Sequence, residues 1–206
     1  MHSSGASSAF GVCYGHIGRG LHVSSYVYNN NLWLSGLLLL VFLMAIAFLG
    51  YVLTWGQMSF WGGIVIKNLF LSIPDLVGWM CGGFYVSNPT LKRFFVFHFL
   101  GPVILCALAI IHLYFLHYAS SSHPWGYNTY NLSTFLTLVL GKDQFGLVLG
   151  GLAGTTQHMQ NQLSLCHSDN SLEVNGLVIP LHIVPEWYFL GSYAILKAIP
   201  AKVKGS

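Results

Sequence analysis

His2 and His16 are 14 residues apart, and His98 and His112 are also 14 residues apart. A helical residue rises about 1.5 Å and turns about 100°. Fourteen residues therefore make just under four turns, roughly 21 Å, and return the second imidazole to nearly the same face. Each segment presents two ligands on one stripe, one above the other. Two such helices side by side form two bis-imidazole sites at two depths.

Composition says what surrounds them. Of 206 residues, 54% are hydrophobic and 6% charged, where a soluble domain has about 25% charged residues. Leu32 to Thr54 is a run of 23 residues without a charge, and Phe94 to Tyr118 is a run of 25 broken only by three histidines. About 20 apolar residues span a bilayer, so both runs qualify. Both are internal and too long for signal peptides. Cys13, Cys81, Cys106 and Cys166 show no metal spacing and predict no disulfide framework. The net charge of +3 gives no argument for a nucleic-acid partner.

Along the chain, Met1 to about Gly20 reads as a helix already under way, because no capping sequence introduces it. Asn29-Asn30-Asn31 closes the next loop, and Leu32–Thr54 is the second helix. Trp55 to Pro74 is aromatic and Gly-rich and suits short interfacial helices, within an interfacial segment over about 55–90. Phe94–Tyr118 is the third long helix. Ser120–Tyr130 is polar and reads as a loop. A weaker apolar stretch runs from Leu132 to about Gly154. Pro185 and Glu186 are well placed to start a last helix within Leu177–Pro200. The expected architecture is all-α: a transmembrane bundle of about four membrane helices, with di-haem helices and the interfacial segment in 1–154. A polar connection and the segment that holds Pro185 and Glu186 fill 155–206.

Topology pairs the ligands. One crossing, Leu32–Thr54, separates the two histidine helices, so both run in the same direction through the membrane. His2 is then level with His98, and His16 with His112. Each level suits one haem held by axial nitrogens from two helices. Gly36 and Gly50 are also 14 apart. They serve either close helix packing or room for haem rings at the same two levels. Arg19 and Arg93 each suit a lipid-headgroup anchor or a partner for a haem propionate. His22, His123, His158, His167 and His182 lack partners at this spacing and default to loop or interface positions.

Three stretches carry a resemblance: His16-Ile17-Gly18-Arg19-Gly20, Gly50-Tyr51-Val52-Leu53-Thr54-Trp55-Gly56-Gln57-Met58-Ser59-Phe60-Trp61-Gly62, and Pro185-Glu186-Trp187-Tyr188-Phe189-Leu190. They resemble cytochrome b of the respiratory ubiquinol–cytochrome c oxidoreductase, complex III. Cys81-Gly82-Gly83 to Phe99 and Pro180 to Lys202 look most like alveolate mitochondrial versions. The resemblance implies two non-covalent b-type haems, ubiquinol and ubiquinone as substrates, and a multi-pass place in the mitochondrial inner membrane. Electrons would pass from quinol through a low- and a high-potential haem to quinone, with proton translocation. His2 and His98 would hold the low-potential haem iron, His16 and His112 the high-potential one. Glu186 matches the acid of the quinol-oxidation motif. Tyr51, Gly62, Gly63, Pro185, Trp187, Tyr188 and Tyr193 match positions there. His117, Ser121, Lys142 and Asp143 match positions at the quinone-reduction site. Implied partners are the Rieske iron–sulfur protein, a cytochrome c-type subunit, other complex III subunits, a second copy in the complex III dimer, and membrane lipid.

Crossing order agrees with these sides. Trp55–Trp61 falls on the His2/His98 side, and Glu186, one crossing after Asp143, returns to it. His117 lies past His112, where Lys142 and Asp143 open the next crossing. Glu186 is one of five acidic residues in the chain, and a carboxylate among aromatic side chains suits a tunable proton acceptor.

The chain departs from the family pattern as well. The family's first helix and last three helices have no counterpart, which predicts separate chains supplying them. Thr54 stands where the family usually has Pro. Thr155 to Gln162 is polar where the family's fifth helix is apolar, and Gln144–Gly154 alone would span only about 16 Å. Two alternatives compete. A transmembrane ferric or superoxide-forming reductase also stacks haems on His pairs, but needs a dinucleotide fingerprint that this sequence lacks. A haem-free membrane scaffold would show no haem spectrum.

Overall fold

A computed structural model of the chain describes residues 1–69, 74–119, 140–160 and 166–198. The described residues are helical, without a strand; Gly56 and Glu173 form an isolated antiparallel bridge. The elements are α1 (His2–His22), α2 (Ser25–Tyr28), α3 (Asn30–Leu53), α4 (Gln57–Leu69), α5 (Pro74–Cys81), α6 (Asn88–Ala119), α7 (Gly141–Gln160) and α8 (Leu190–Ala198). Short 3-10 turns lie at Ser168–Ser171 and Trp187–Phe189. Among the described residues the all-α expectation is borne out, and α1, α3, α6 and α8 fall on expected segments; α2 lies where a loop was expected, and α7 runs six residues past the Leu132–Gly154 stretch, of which 132–139 lie outside the described residues. The proposed loop Ser120–Tyr130, His123 and Ser121 lie outside the described residues.

Among the described residues, two helices are long and apolar enough to cross a membrane, Asn30–Leu53 and Asn88–Tyr118, and only 11% of each apolar window is buried within the chain. A soluble core helix would be mostly covered, so these apolar faces need lipid or other protein around them. α1 and α7, of 21 and 20 residues, reach about 30 Å at 1.5 Å per residue but are less apolar.

The polar stretch after Gly154 does not end α7. Thr155 Oγ1 donates to the Gly151 and Leu152 carbonyls, and Thr156 Oγ1 to those of Leu152 and Ala153. Back-bonding to carbonyls three and four residues earlier satisfies hydroxyls within a helix. The helix therefore continues to Gln160.

The chain divides into two compact units, residues 1–40 with 108–165, and residues 41–107 with 166–206. In the first, Asn29 ties α3 to α6. Its Oδ1 accepts from Leu32 N at 3.1 Å, the capping bond of α3, and its Nδ2 donates to the Phe115 carbonyl at 2.9 Å. Phe10 of α1 is buried, and the Trp33 ring covers Gly20, where a Cβ would lie 3.0 Å away.

In the second unit, Val77, Cys81 and Val86 form a core with Trp55, Phe60 and Ile64 packed against it. Phe48 and Phe94 meet edge to face, with centroids 6.2 Å apart. α3 and α6 touch closely at Ile46 and Gly101, where a Cβ would lie 2.7 Å from Ile46 Cγ1. The chain leaves α3 through Trp55 in the left-handed region, φ 52°, an uncommon conformation for a bulky residue.

Candidate functional site

The two α6 histidines are held in the same way, each in its own unit. In the second unit His98 Nδ1 lies 2.8 Å from the Ile46 carbonyl of α3. A carbonyl only accepts, so Nδ1 carries the proton and Nε2 the lone pair. A Cβ on Gly50 would overlap the His98 ring. Gly101 permits the approach, since its bare Cα lets Ile46 come close enough to reach His98. Pro102 follows, and without an N–H it cannot donate to the His98 carbonyl four residues back.

In the first unit His112 Nδ1 lies 2.8 Å from Ser35 Oγ. That hydroxyl gives its own proton to the Leu32 carbonyl at 2.8 Å, so it accepts from His112. This contact puts the proton on Nδ1 and the lone pair on Nε2. A Cβ on Gly36 would lie 3.0 Å from His112 Cε1. Gly36 and Gly50 were expected to serve helix packing or to leave room for haem rings. In the structure the group nearest each is the imidazole of the α6 histidine.

His16 faces His112 in the same unit, with ring centroids 6.4 Å apart and planes at 68°. Two imidazoles on opposite faces of one metal, each bonded at about 2.0 Å, have centroids roughly 6 Å apart. The His16–His112 pair therefore has the spacing that a bis-imidazole haem iron requires. Arg19 Nη2 lies 3.3 Å from His16 Nδ1. Arginine only donates, so this contact leaves the His16 proton on Nε2. Coordination through Nε2 requires Arg19 to release the ring, which makes its exposed guanidinium available to a carboxylate. His2 opens α1 and makes contacts of its own.

Arg93 sits elsewhere, 5.6 Å from the Trp79 ring centre and beside Gly82, whose φ of 68° needs glycine. Its Nη1 is buried and lacks a hydrogen-bond partner.

Around Glu186, in the connection ahead of α8, the second unit gathers a proton-handling group. The Tyr51 hydroxyl of α3 comes close enough to the Glu186 carboxylate to favour its ionised form. Burial pushes the Glu186 carboxyl above its ordinary value; Tyr51 and the charge of His167 oppose that rise. Tyr188 is buried and its hydroxyl is also pushed up, first by burial and then by Glu186. Trp187, Tyr188 and Phe189 form a run of edge-to-face rings. Tyr193 is half-buried on α8. Gly62 has open space where a Cβ would stand, and Gly63 lies under Val52. Pro185 is half-buried beside Glu186.

A clasp fastens the preceding loop to the start of α4. Gln57 N donates to the Leu172 carbonyl at 3.1 Å, and Gln57 Oε1 accepts from Asn175 N at 2.7 Å. Asn170 Oδ1 accepts from Ser59 N at 2.9 Å, and Asn170 Nδ2 donates to Thr54 Oγ1 at 3.2 Å. Gly56 must be bare, because a Cβ there would overlap the Asn170 backbone. Thr54, the departure from the family's usual Pro, supplies a hydroxyl to this clasp.

At the other candidate quinone position, His117 is exposed in the last turn of α6, and Lys142 and Asp143 are exposed at the start of α7. Sequence reasoning overlooked Ser35, Gln57, Asn170 and Asn175. Ser35 did leave a signal: it is a polar group in an apolar membrane run, and such a group needs a partner.

Residues 1–120 match the family model "Cytochrome b/b6/petB", and residues 173–206 match "Cytochrome b(C-terminal)/b6/petD". The chain belongs to the cytochrome b family. It is 47% identical over 205 residues to cytochrome b of Plasmodium berghei, covering 100% of this chain and 54% of that one. It is 48% identical over 207 residues to cytochrome b of Toxoplasma gondii, covering 100% and 56%. A solved structure described as a hyperthermophilic respiratory complex III superposes with a TM-score of 0.78 at 31% identity, over 97% of this chain and 56% of that one. The chain spans about half the length of the curated relatives it matches.

Proposed function

We propose that this chain is the quinol-oxidising and quinone-reducing haem subunit of complex III, in the mitochondrial inner membrane. The observation that carries the reading is the paired seating of His98 and His112. Both imidazoles are turned by α3 so that Nδ1 donates and Nε2 offers its lone pair, and both rest on a glycine. Holding Nδ1–H in this way fixes the tautomer and raises ligand basicity. His16 completes the high-potential level with His112. His2 completes the low-potential level with His98, an assignment resting on the 14-residue spacing. Bound haems would supply one-electron carriers at the two levels.

Arg19, released from His16, would be the residue to pair a haem propionate. The same role for Arg93 rests on its buried Nη1. Glu186 accepts a proton from quinol, with Tyr51 holding the carboxylate in place. A buried carboxyl with a raised pKa takes a proton more readily than an exposed one. Gly62, Gly63, Pro185, Trp187, Tyr188 and Tyr193 line that position. His117, Ser121, Lys142 and Asp143 serve proton uptake at quinone reduction. The Rieske iron–sulfur protein and a cytochrome c-type subunit take the remaining electron, within a dimeric assembly completed by other chains.

The test is a reduced-minus-oxidised visible spectrum with potentiometric titration of the purified complex. Two b-type transitions at different potentials are expected. A complex without a b-haem spectrum would overturn the reading.

A further inference from the structure

We infer that Ser35 is a positioning residue for His112 that sets the potential of one haem independently of the other. The inference rests on the reading that His112 ligates iron. It stands on a difference between two otherwise matched seats. His98 is held by a backbone carbonyl, that of Ile46, which no substitution removes. His112 is held by a side-chain hydroxyl, that of Ser35.

The chemistry of the Ser35 contact runs in one direction. Its hydroxyl proton is committed to the Leu32 carbonyl, one turn back on α3. The oxygen therefore presents a lone pair to Nδ1–H. Donating its proton makes that oxygen a better acceptor, since linked hydrogen bonds polarise one another. An acceptor on Nδ1–H makes the imidazole a stronger donor at Nε2, which favours the oxidised metal and lowers the potential. Gly36, the next residue, lets the ring approach, with Cε1 only 3.0 Å from where a Cβ would stand. Ser35 and Gly36 together fix both the electronics and the rotation of the His112 ring. Ser35 lies 15 residues before Gly50 on α3, about 22 Å along the helix, so a change there acts on one level only.

The experiment is made on the intact complex carrying Ser35→Ala, Ser35→Cys or Ser35→Thr. In Ser35→Ala the Nδ1–H loses the hydroxyl that accepts from it. The high-potential haem should become easier to reduce, its reduced-to-oxidised ratio at fixed ambient potential rising threefold to tenfold, where tenfold is 59 mV for a one-electron couple. Its ferric electron paramagnetic resonance signal should move as the ring rotates, while the low-potential transition stays in place. Ser35→Thr, which keeps the hydroxyl, should restore the wild-type potential. An unchanged potential and unchanged signal in Ser35→Ala overturn the proposal. Should Ser35→Ala not assemble, Ser35→Cys replaces it, because a thiol is a weaker acceptor; a wild-type potential there overturns it equally. Retention of both haems by His112→Ala would instead refute the ligand assignment itself.

Discussion

Gly50 of α3 and His98 of α6 occupy the same place in the packing of their unit: a Cβ on the one would overlap the imidazole of the other. The ring cannot retreat without losing the Ile46 carbonyl that holds its Nδ1 at 2.8 Å. Gly50→Ala should therefore displace His98 and destabilise the chain by about 1–3 kcal/mol, the range for overpacking. Gly36→Ala should be milder, because its nearest contact with His112 Cε1 is 3.0 Å. Haem content per complex, read from the visible spectrum, checks both. Equal, full occupancy in Gly50→Ala would refute the steric argument.

His98→Ala and His112→Ala should each remove a different redox transition. Their seats lie 14 residues apart on α6, and each has its own acceptor on α3. Potentiometric titration distinguishes the two losses. Disappearance of the same transition in both variants would contradict the two-level pairing.

Glu186→Gln should slow quinol oxidation by roughly 10²- to 10⁴-fold, the usual contribution of a positioned proton acceptor, while both haems remain bound. Burial raises the Glu186 pKa above its ordinary 4.5. A proton acceptor must be ionised, so the wild-type rate should climb with pH through that raised value. The glutamine variant should lose this acid limb. For folding the sign is opposite: a raised carboxyl pKa contributes stability at low pH that is lost as pH climbs through it. Turnover measured across pH decides the first claim, and an unchanged acid limb in Glu186→Gln would remove the proton role.

Gln57→Ala should loosen the 166–178 segment without touching haem. Gln57 is buried and joins α4 to Asn175 and Leu172. Removing a buried partner of this kind costs about 1–3 kcal/mol. Faster limited proteolysis within 166–178 and slower quinol oxidation are expected together, because Glu186 follows that segment. Proteolysis at the wild-type rate would show that the clasp contributes little.

The sequence alone determined the helical class, the two apolar crossings and the histidine spacing, because periodicity and hydropathy are local properties of the chain. It also singled out Glu186, as a scarce acid in a specific motif. Which tautomer each α6 histidine adopts was decided by tertiary structure, since Ile46 and Ser35 lie 52 and 77 residues away in sequence. The role of Gly36 and Gly50 was ambiguous for the same reason: a missing Cβ acquires meaning only when a neighbour fills the space. The fate of Thr155 and Thr156 turned on hydroxyls finding carbonyls in their own helix, which composition counts simply as polar. Tyr51 and Glu186 are 135 positions apart in the chain, and only folding brings the hydroxyl to the carboxylate.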